Sequence, residues 1–180
     1  MIEHLAKRET TDSRIIHTVI EMSGDILSPN LTGHEVLVCH QVNCMGVMGA
    51  GLAKYLCNLF PGLLPAYQSV CKRYKAEELL GTTYYYPVNY NGFDYVIANI
   101  FGQVRYGRDH CYTNYDALRQ AFRSMRAMTD TYYGIRPSTR IRIPYRMGCG
   151  LAGGNWNVVR SIIQEELVDH GVIVEIWKKE

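Results

Sequence analysis

Residues Val38 to Leu59 read VCHQVNCMGVMGAGLAKYLCNL. The stretch opens as an apolar strand, passes through a loop with three glycines (Gly46, Gly49, Gly51) and runs directly into a helical pattern. A strand, a loop and a helix N-terminus in succession gather backbone N–H groups and the positive end of a helix dipole into one small concavity. Such a concavity suits a phosphate or diphosphate, and glycines let the backbone approach a ligand where a Cβ would collide with it. The first expectation is therefore an anion site.

A second stretch, Ile143 to Trp156, IPYRMGCGLAGGNW, has the same grammar. An apolar strand (Ile141, Ile143) leads into Gly148, Gly150, Gly153 and Gly154, and a helix starts near Asn155. One glycine-rich loop is weak evidence for a ligand, since many are ordinary tight turns. Two such loops, each between a strand and a helix, are expected to face each other at the carboxyl ends of parallel strands, where open α/β sheets hold their ligands.

The chain of 180 residues is long enough for one domain with a sizeable core, and its net charge of +2 is too mild to imply a nucleic-acid groove. Arg119, Arg123 and Arg126 recur at helical spacing and read as a solvated face rather than a phosphate-binding stripe. No apolar run approaches the roughly 18 residues of a membrane span, and the amino terminus is polar, so neither anchor nor signal peptide is expected. The default is a soluble, cytoplasmic protein with no membrane partner. The six cysteines are irregularly spaced and form no CxxC pair; the expectation is small buried hydrophobes, with no disulfides and no metal.

Along the chain, residues 1–14 read as a polar segment and 15–180 as the domain. Ile15 to Met22 is rich in β-branched residues and reads as a strand ending at Ser23, Gly24, Asp25, Ile26. Asp25 is open to two roles there, as a turn residue or as the acceptor of a hydrogen bond from a ligand amine. Glu35 to Val42 is a strand apolar enough to be buried on both faces, and Ala50 to Leu59 a helix. Pro61 opens a helix to about Lys75. Thr82 to Val88 and Phe93 to Phe101 are strands joined through Asn91-Gly92, a hairpin dipeptide. Thr113 and Asp116 resemble a capping box before the helix of Leu118, Ala121, Phe122 and Met125. A surface loop over 130–139 leads to the strand Arg140 to Pro144. Asn155 caps a helix that Gly171 ends, and Val172 to Trp177 is the last strand. Strands and helices alternate, so the class is α/β.

GDIL at the end of the first strand, HQVNCMGVMGAGLA, ANIFGQ and IPYRMGCGLAGGNW occur in this order. Together they resemble the macro domain, closest to its ADP-ribose 1″-phosphate phosphatases and terminal ADP-ribose protein glycohydrolases. The resemblance covers about residues 15 to 177. It implies a three-layer α/β/α sandwich around a mixed, mostly parallel central sheet, with ADP-ribose or a derivative at the strand ends and no cofactor. It also implies that the adenine amine meets Asp25 and the backbone of Ile26, and that Asn43 faces the distal ribose. Gly49, Ala50, Gly51 and Leu52 would line one side of the diphosphate, and Gly148, Cys149, Gly150, Leu151 and Ala152 the other. Phe101 and Gly102 would lie near the distal ribose. ADP-ribosylated protein or nucleic acid would be the larger partners.

The chemistry is less determined than the ligand. The resemblance leads one to expect a lysine at the end of a central strand and an aspartate after GCGL, but the chain has ANIFGQ and Ala152 there. His40 stands where the phosphatase relatives carry a histidine, which makes His40 and Asn43 the catalytic candidates for release of a 1″-phosphate. Within the apolar VLVCHQV, His40 equally fits a core histidine bonded to a backbone carbonyl. Cys149 lies at a helix N-terminus, which favours a thiolate, but GCGLAGG has no arginine to hold a phosphate and its side chain is expected in the core. Tyr106, Tyr112 and Tyr145 are candidates for packing on adenine or ribose. The expected function is a hydrolase of an ADP-ribose derivative, of the 1″-phosphate phosphatase type; the alternatives are a non-catalytic ADP-ribose reader and a de-ADP-ribosylating glycohydrolase without the lysine and aspartate pair.

Overall fold

The computed structural model describes residues 18–31, 33–127 and 139–180. The expected polar segment and residues 130–138 of the expected surface loop lie outside the described residues. In chain order the elements are β1 (Ile20–Ser23), β2 (Val36–Asn43), α1 (Gly51–Leu59), α2 (Leu63–Arg73), α3 (Ala76–Leu79), β3 (Thr83–Tyr90), β4 (Phe93–Gln103), α4 (Tyr115–Ala127), β5 (Arg140–Pro144), α5 (Trp156–Glu166), a 3-10 turn (Val168–His170) and β6 (Ile173–Lys178).

The six strands form one sheet in the order β1-β6-β5-β2-β4-β3. Every neighbouring pair is parallel except β3 and β4, the hairpin joined by Asn91 and Gly92. Both turn residues have positive φ, 52° and 83°, which fits the right-handed twist of the paired strands. Helices cover both faces, and the central strands show this residue by residue. Val36, Val38 and Val42 of β2 join Leu56, Leu63 and Tyr67 of α1 and α2 in one buried cluster. Leu37 and Cys39, pointing the other way, join Leu118, Phe122, Val159 and Ile163 of α4 and α5 in a second. A strand buried on both sides has no polar face to alternate, hence its nearly continuous apolar run.

Most element ends fall within two residues of the sequence reading. The first strand begins at Ile20, with residues 15–17 of the expected strand outside the described residues, and two helix ends are closed by other residues than expected. Asn114, not Thr113, caps α4, accepting from Ala117 N at 2.9 Å; the Thr113 hydroxyl instead donates to Gly148 O at 2.6 Å. The last helix stops at Glu166, and Gly171 (φ 81°) ends the following 3-10 turn rather than the helix itself. The short α3 went unread because its four residues are too few to show a period. Its start is closed by Glu78, whose carboxylate accepts from Lys75 N at 2.8 Å.

Arg119 and Arg123 of α4 donate to Glu166 of α5 at 3.1 and 2.7 Å, and Arg126 lies 3.8 Å from the same carboxylate. Glu166 is only 5% exposed, so this arginine face holds two helices together, while the Arg123 side chain stays exposed to solvent as expected. No helix among the described residues is long and apolar enough to cross a membrane.

Candidate functional site

Parallel β2 and β5 bring both glycine loops to the same edge of the sheet. Between them lies a cleft of about 640 Å³. The first loop is shaped from within by Asn43. Its Nδ2 donates to Val47 O at 2.7 Å, and its Oδ1 accepts from Met45 N at 3.0 Å and Val47 N at 3.3 Å. Tyr67 of α2 donates its hydroxyl to Asn43 O, clamping the loop from below. Helix α1 then begins at Gly51 with Ala50 as N-cap, no capping side chain and no acid in its first turn. Its first N–H groups are therefore free of a side-chain acceptor and suited to an anion.

The second loop is held by a chain of bonds that starts on β2. The Gln41 amide donates to both Gln103 Oε1 and Thr113 Oγ1, and Thr113 donates on to Gly148 O. Gln103 donates to Arg105 O at 2.9 Å, which fixes the sense of every bond in the chain. Gly148 has φ 71°, and a Cβ there would overlap Gln41 Oε1, so a side chain at this position would be strained and would displace the Gln41 amide from its bonds. Ala152 O accepts from Tyr112 N and Thr113 N at 2.8 and 3.3 Å, docking the far end of the loop on the connection from β4 to α4.

Of the expected site residues, His40, Asn43, Gly49, Ala50, Gly51, Leu52, Gly148, Gly150, Leu151 and Ala152 line this cleft. Asp25, Ile26, Phe101, Gly102 and Cys149 do not. Phe101 is buried and stacked on Tyr67 with ring centroids 5.8 Å apart. Gly102 is a packing glycine, since a Cβ would stand 2.7 Å from Leu118 Cδ2. Cys149 is buried, its thiol donates to Met147 O at 3.2 Å, and burial raises its pKa; that is an inert thiol rather than a nucleophile. Cys39 and Cys44 are buried too, Cys57 and Cys71 half-buried, and Cys111 exposed. Tyr106 and Tyr145 line the cleft, whereas Tyr112 turns away to donate to Asp109 at 2.6 Å.

Asp25 stands at the exposed end of β1 with both oxygens engaged. Oδ1 accepts from Leu27 N at 2.9 Å and Oδ2 from the Tyr55 hydroxyl of α1 at 2.6 Å. Beneath it, the buried Arg142 donates to Ile26 O and Ser28 O at 2.8 and 2.7 Å. Tyr95 donates to the carbonyls of Leu27 and Ser28, both at 3.0 Å. The turn is a rigid shelf.

His40 is 2% exposed on β2. Asn99 of β4 donates its amide to Tyr84 O, so its Oδ1 faces His40 Nε2, at 2.7 Å, as an acceptor. The imidazole must then carry its proton on Nε2, leaving a bare Nδ1 with no partner among the described residues. Burial lowers its pKa to about 4 against the opposing bond to Asn99, so the ring is neutral at pH 7.

Sequence reading missed Gln41, Gln103, Arg108 and Arg146. Arg108 and Arg146 are exposed at the cleft, whose lining contains no aspartate, glutamate or lysine among the described residues. Arg146 also has φ 61°, a conformation that non-glycine residues adopt only when their surroundings impose it. Arginine inside a glycine-rich loop was the available signal for Arg146; the glutamines look like ordinary strand-end residues.

No family model matches the chain. An uncharacterized 17.5 kDa protein of the tk-vs intergenic region of Enterobacteria phage T4 is 24% identical over 157 residues, 87% of this chain and 95% of that protein. A solved structure of a protein of unknown function from Bacteroides thetaiotaomicron is similar at TM-score 0.75, with 27% identity, covering 89% of this chain and 98% of that one. The macrodomain of Mycobacterium tuberculosis DarG matches at TM-score 0.67 with 24% identity over 89% of this chain and 97% of its own. Thermosipho africanus DarTG, solved in complex with ADP-ribose, matches at TM-score 0.61 with 21% identity over 79% of this chain and 37% of that one. With two glycine loops facing each other across the ends of parallel strands and helices on both faces of the sheet, the chain has the macrodomain fold.

Proposed function

We propose that this chain binds ADP-ribose, free or attached to a protein or nucleic acid, in the cleft between its two glycine loops. The observation that carries this reading is the cleft wall itself: two backbone loops and two guanidinium groups, with no carboxylate among the described residues that line it. A diphosphate brings two negative charges, and Arg108 and Arg146 offer two positive ones beside the uncapped start of α1. The volume of about 640 Å³ falls within the roughly 300–1,000 Å³ of small-molecule pockets. The ADP-ribose in the DarTG structure supports the same ligand. In this reading Gly49 to Leu52 and Gly148 to Ala152 hold the diphosphate, with Cys149 serving through its backbone, and Asp25 and Ile26 meet the adenine. Asn43, Phe101 and Gly102 act by shaping and backing the loops. Calorimetric titration with ADP-ribose tests it: saturable binding that weakens severalfold in Arg146→Gly is expected, and a flat isotherm for the wild type overturns it.

A hydrolytic reading, release of a 1″-phosphate from an ADP-ribose derivative, rests on one observation. His40 lines the cleft with an unprotonated Nδ1 that has no partner among the described residues. Against it, a base of pKa about 4 takes a proton from water poorly, and the Asn43 amide is consumed within its own loop. A phosphorus NMR time course with ADP-ribose 1″-phosphate separates the two. Shifted diphosphate resonances without released phosphate leave binding alone, whereas release that His40→Ala abolishes establishes the hydrolase.

A further inference from the structure

Asp25 presents a carboxylate at the strand ends, and a carboxylate only accepts. It can select a base with an exocyclic amine over one with a carbonyl in the same place, provided that its oxygens are held in one orientation. A short Asp side chain on an exposed turn does not hold itself. Leu27 N fixes Oδ1 from within the turn, at 2.9 Å. Oδ2 is fixed from a different element, by the hydroxyl of Tyr55, at 2.6 Å.

Tyr55 is four residues into α1 from Gly51, about one helical turn and roughly 6 Å along the axis from the start that the first glycine loop builds. Its ring is half-buried against the cluster beneath α1, and Lys179 Nζ lies 5.8 Å from its centroid. Burial and the bond to Asp25 raise the phenol pKa, so the hydroxyl keeps its proton and stays a donor at any ordinary pH. One side chain thus connects the helix that starts at the anion site to the carboxylate on the neighbouring shelf. With each carboxylate oxygen accepting one hydrogen bond, every remaining lone pair is an acceptor, and a base carbonyl placed there would meet oxygen against oxygen.

We propose that Tyr55 is the positioning residue for base selection: it orients Asp25 toward the exocyclic amine of the adenine and sets the distance between base and diphosphate. This rests on the ADP-ribose reading above. Tyr55→Phe removes the hydroxyl and keeps the ring, so α1 stays packed while Oδ2 is released.

The experiment is a calorimetric comparison of ADP-ribose with inosine diphosphate ribose, which has a carbonyl in place of the amine, on wild type, Tyr55→Phe and Asp25→Asn. The wild type should prefer the adenine ligand at least tenfold. Tyr55→Phe should weaken ADP-ribose about fivefold, leave the inosine ligand unchanged and so collapse the preference. Asp25→Asn, whose amide can also donate to a carbonyl, should narrow the preference by tightening the inosine ligand. Equal weakening of both ligands in Tyr55→Phe would show a merely structural tyrosine and overturn the proposal, as would an unchanged ratio. A wild type that binds both ligands equally overturns the role of Asp25 and this proposal with it. A wild type that binds neither overturns the ADP-ribose reading itself.

Discussion

His40 shows how much a single environment decides. The residue lies on a strand buried on both faces, and burial lowers its pKa from 6.5 to about 4. Between those values the unfolded chain takes up a proton that the folded chain refuses. Stability is therefore complete above about pH 6.5 and falls as the pH drops toward 4, by at most about 3 kcal/mol from this group. Urea denaturation at pH 7, 6, 5 and 4 should show that slope, and His40→Gln, which keeps a donor for Asn99, should flatten it. An unchanged slope would place the acid sensitivity elsewhere. Glu166, held below its ordinary 4.5 by Arg123, loses its contribution only at lower pH, so the two are separable. The sequence showed that His40 sat in an apolar strand. It could not show the partner, because Asn99 is 59 residues away and meets it only through the register of β2 against β4. Gln41, its neighbour, was invisible for the same reason.

At the scale of elements, local signals were legible and distant ones were not. Asn91-Gly92 predicted the hairpin, and Asn155 the start of α5, where it accepts from Asn157 N at 2.9 Å. Both are decided within four residues. Thr113 failed because its hydroxyl found a stronger claim on Gly148, across 35 residues, than on its own helix. Arg140 to Pro144 was readable as a strand, but nothing local announced that Arg142 would be 4% exposed. Its guanidinium lies 4.7 Å from the Trp177 ring centroid, bonds Glu175 at 3.1 Å and carries the turn after Asp25. Arg142→Met should cost about 3 kcal/mol, because Glu175 keeps Arg140 but loses its buried partner. The double variant with Glu175→Leu should recover much of that loss in urea melts. A loss below 1 kcal/mol for the single variant would mean that the pair is structurally idle.

The whole molecule places its chemistry at one edge. Every strand but β3 runs in the same direction, so the turn after β1, the first loop after β2 and the second loop after β5 all emerge on the same side. From β1 to β2 is three steps in the sheet, roughly 14 Å at about 4.8 Å per step, a span that an extended nucleoside diphosphate covers. A second hollow of about 830 Å³ lies at the opposite end, lined by Asn89, Asp94, His34 and Glu35 among others. It is the larger of the two, but two carboxylates face a diphosphate there, with no lysine or arginine among the described residues that line it. Size alone would favour this hollow; the charge of its described lining disfavours an anion. Amide chemical shifts followed during titration with ADP-ribose should therefore move at residues 25–27, 47–53, 103–108 and 145–152 and stay still at 33–35 and 89–94. Shifts concentrated at the hairpin end would locate the ligand in the acidic hollow and discard the two-loop site. Titration with AMP should move the first of these groups and leave 103–108 largely unmoved, because a mononucleotide is too short to reach from the shelf at Asp25 to the far wall.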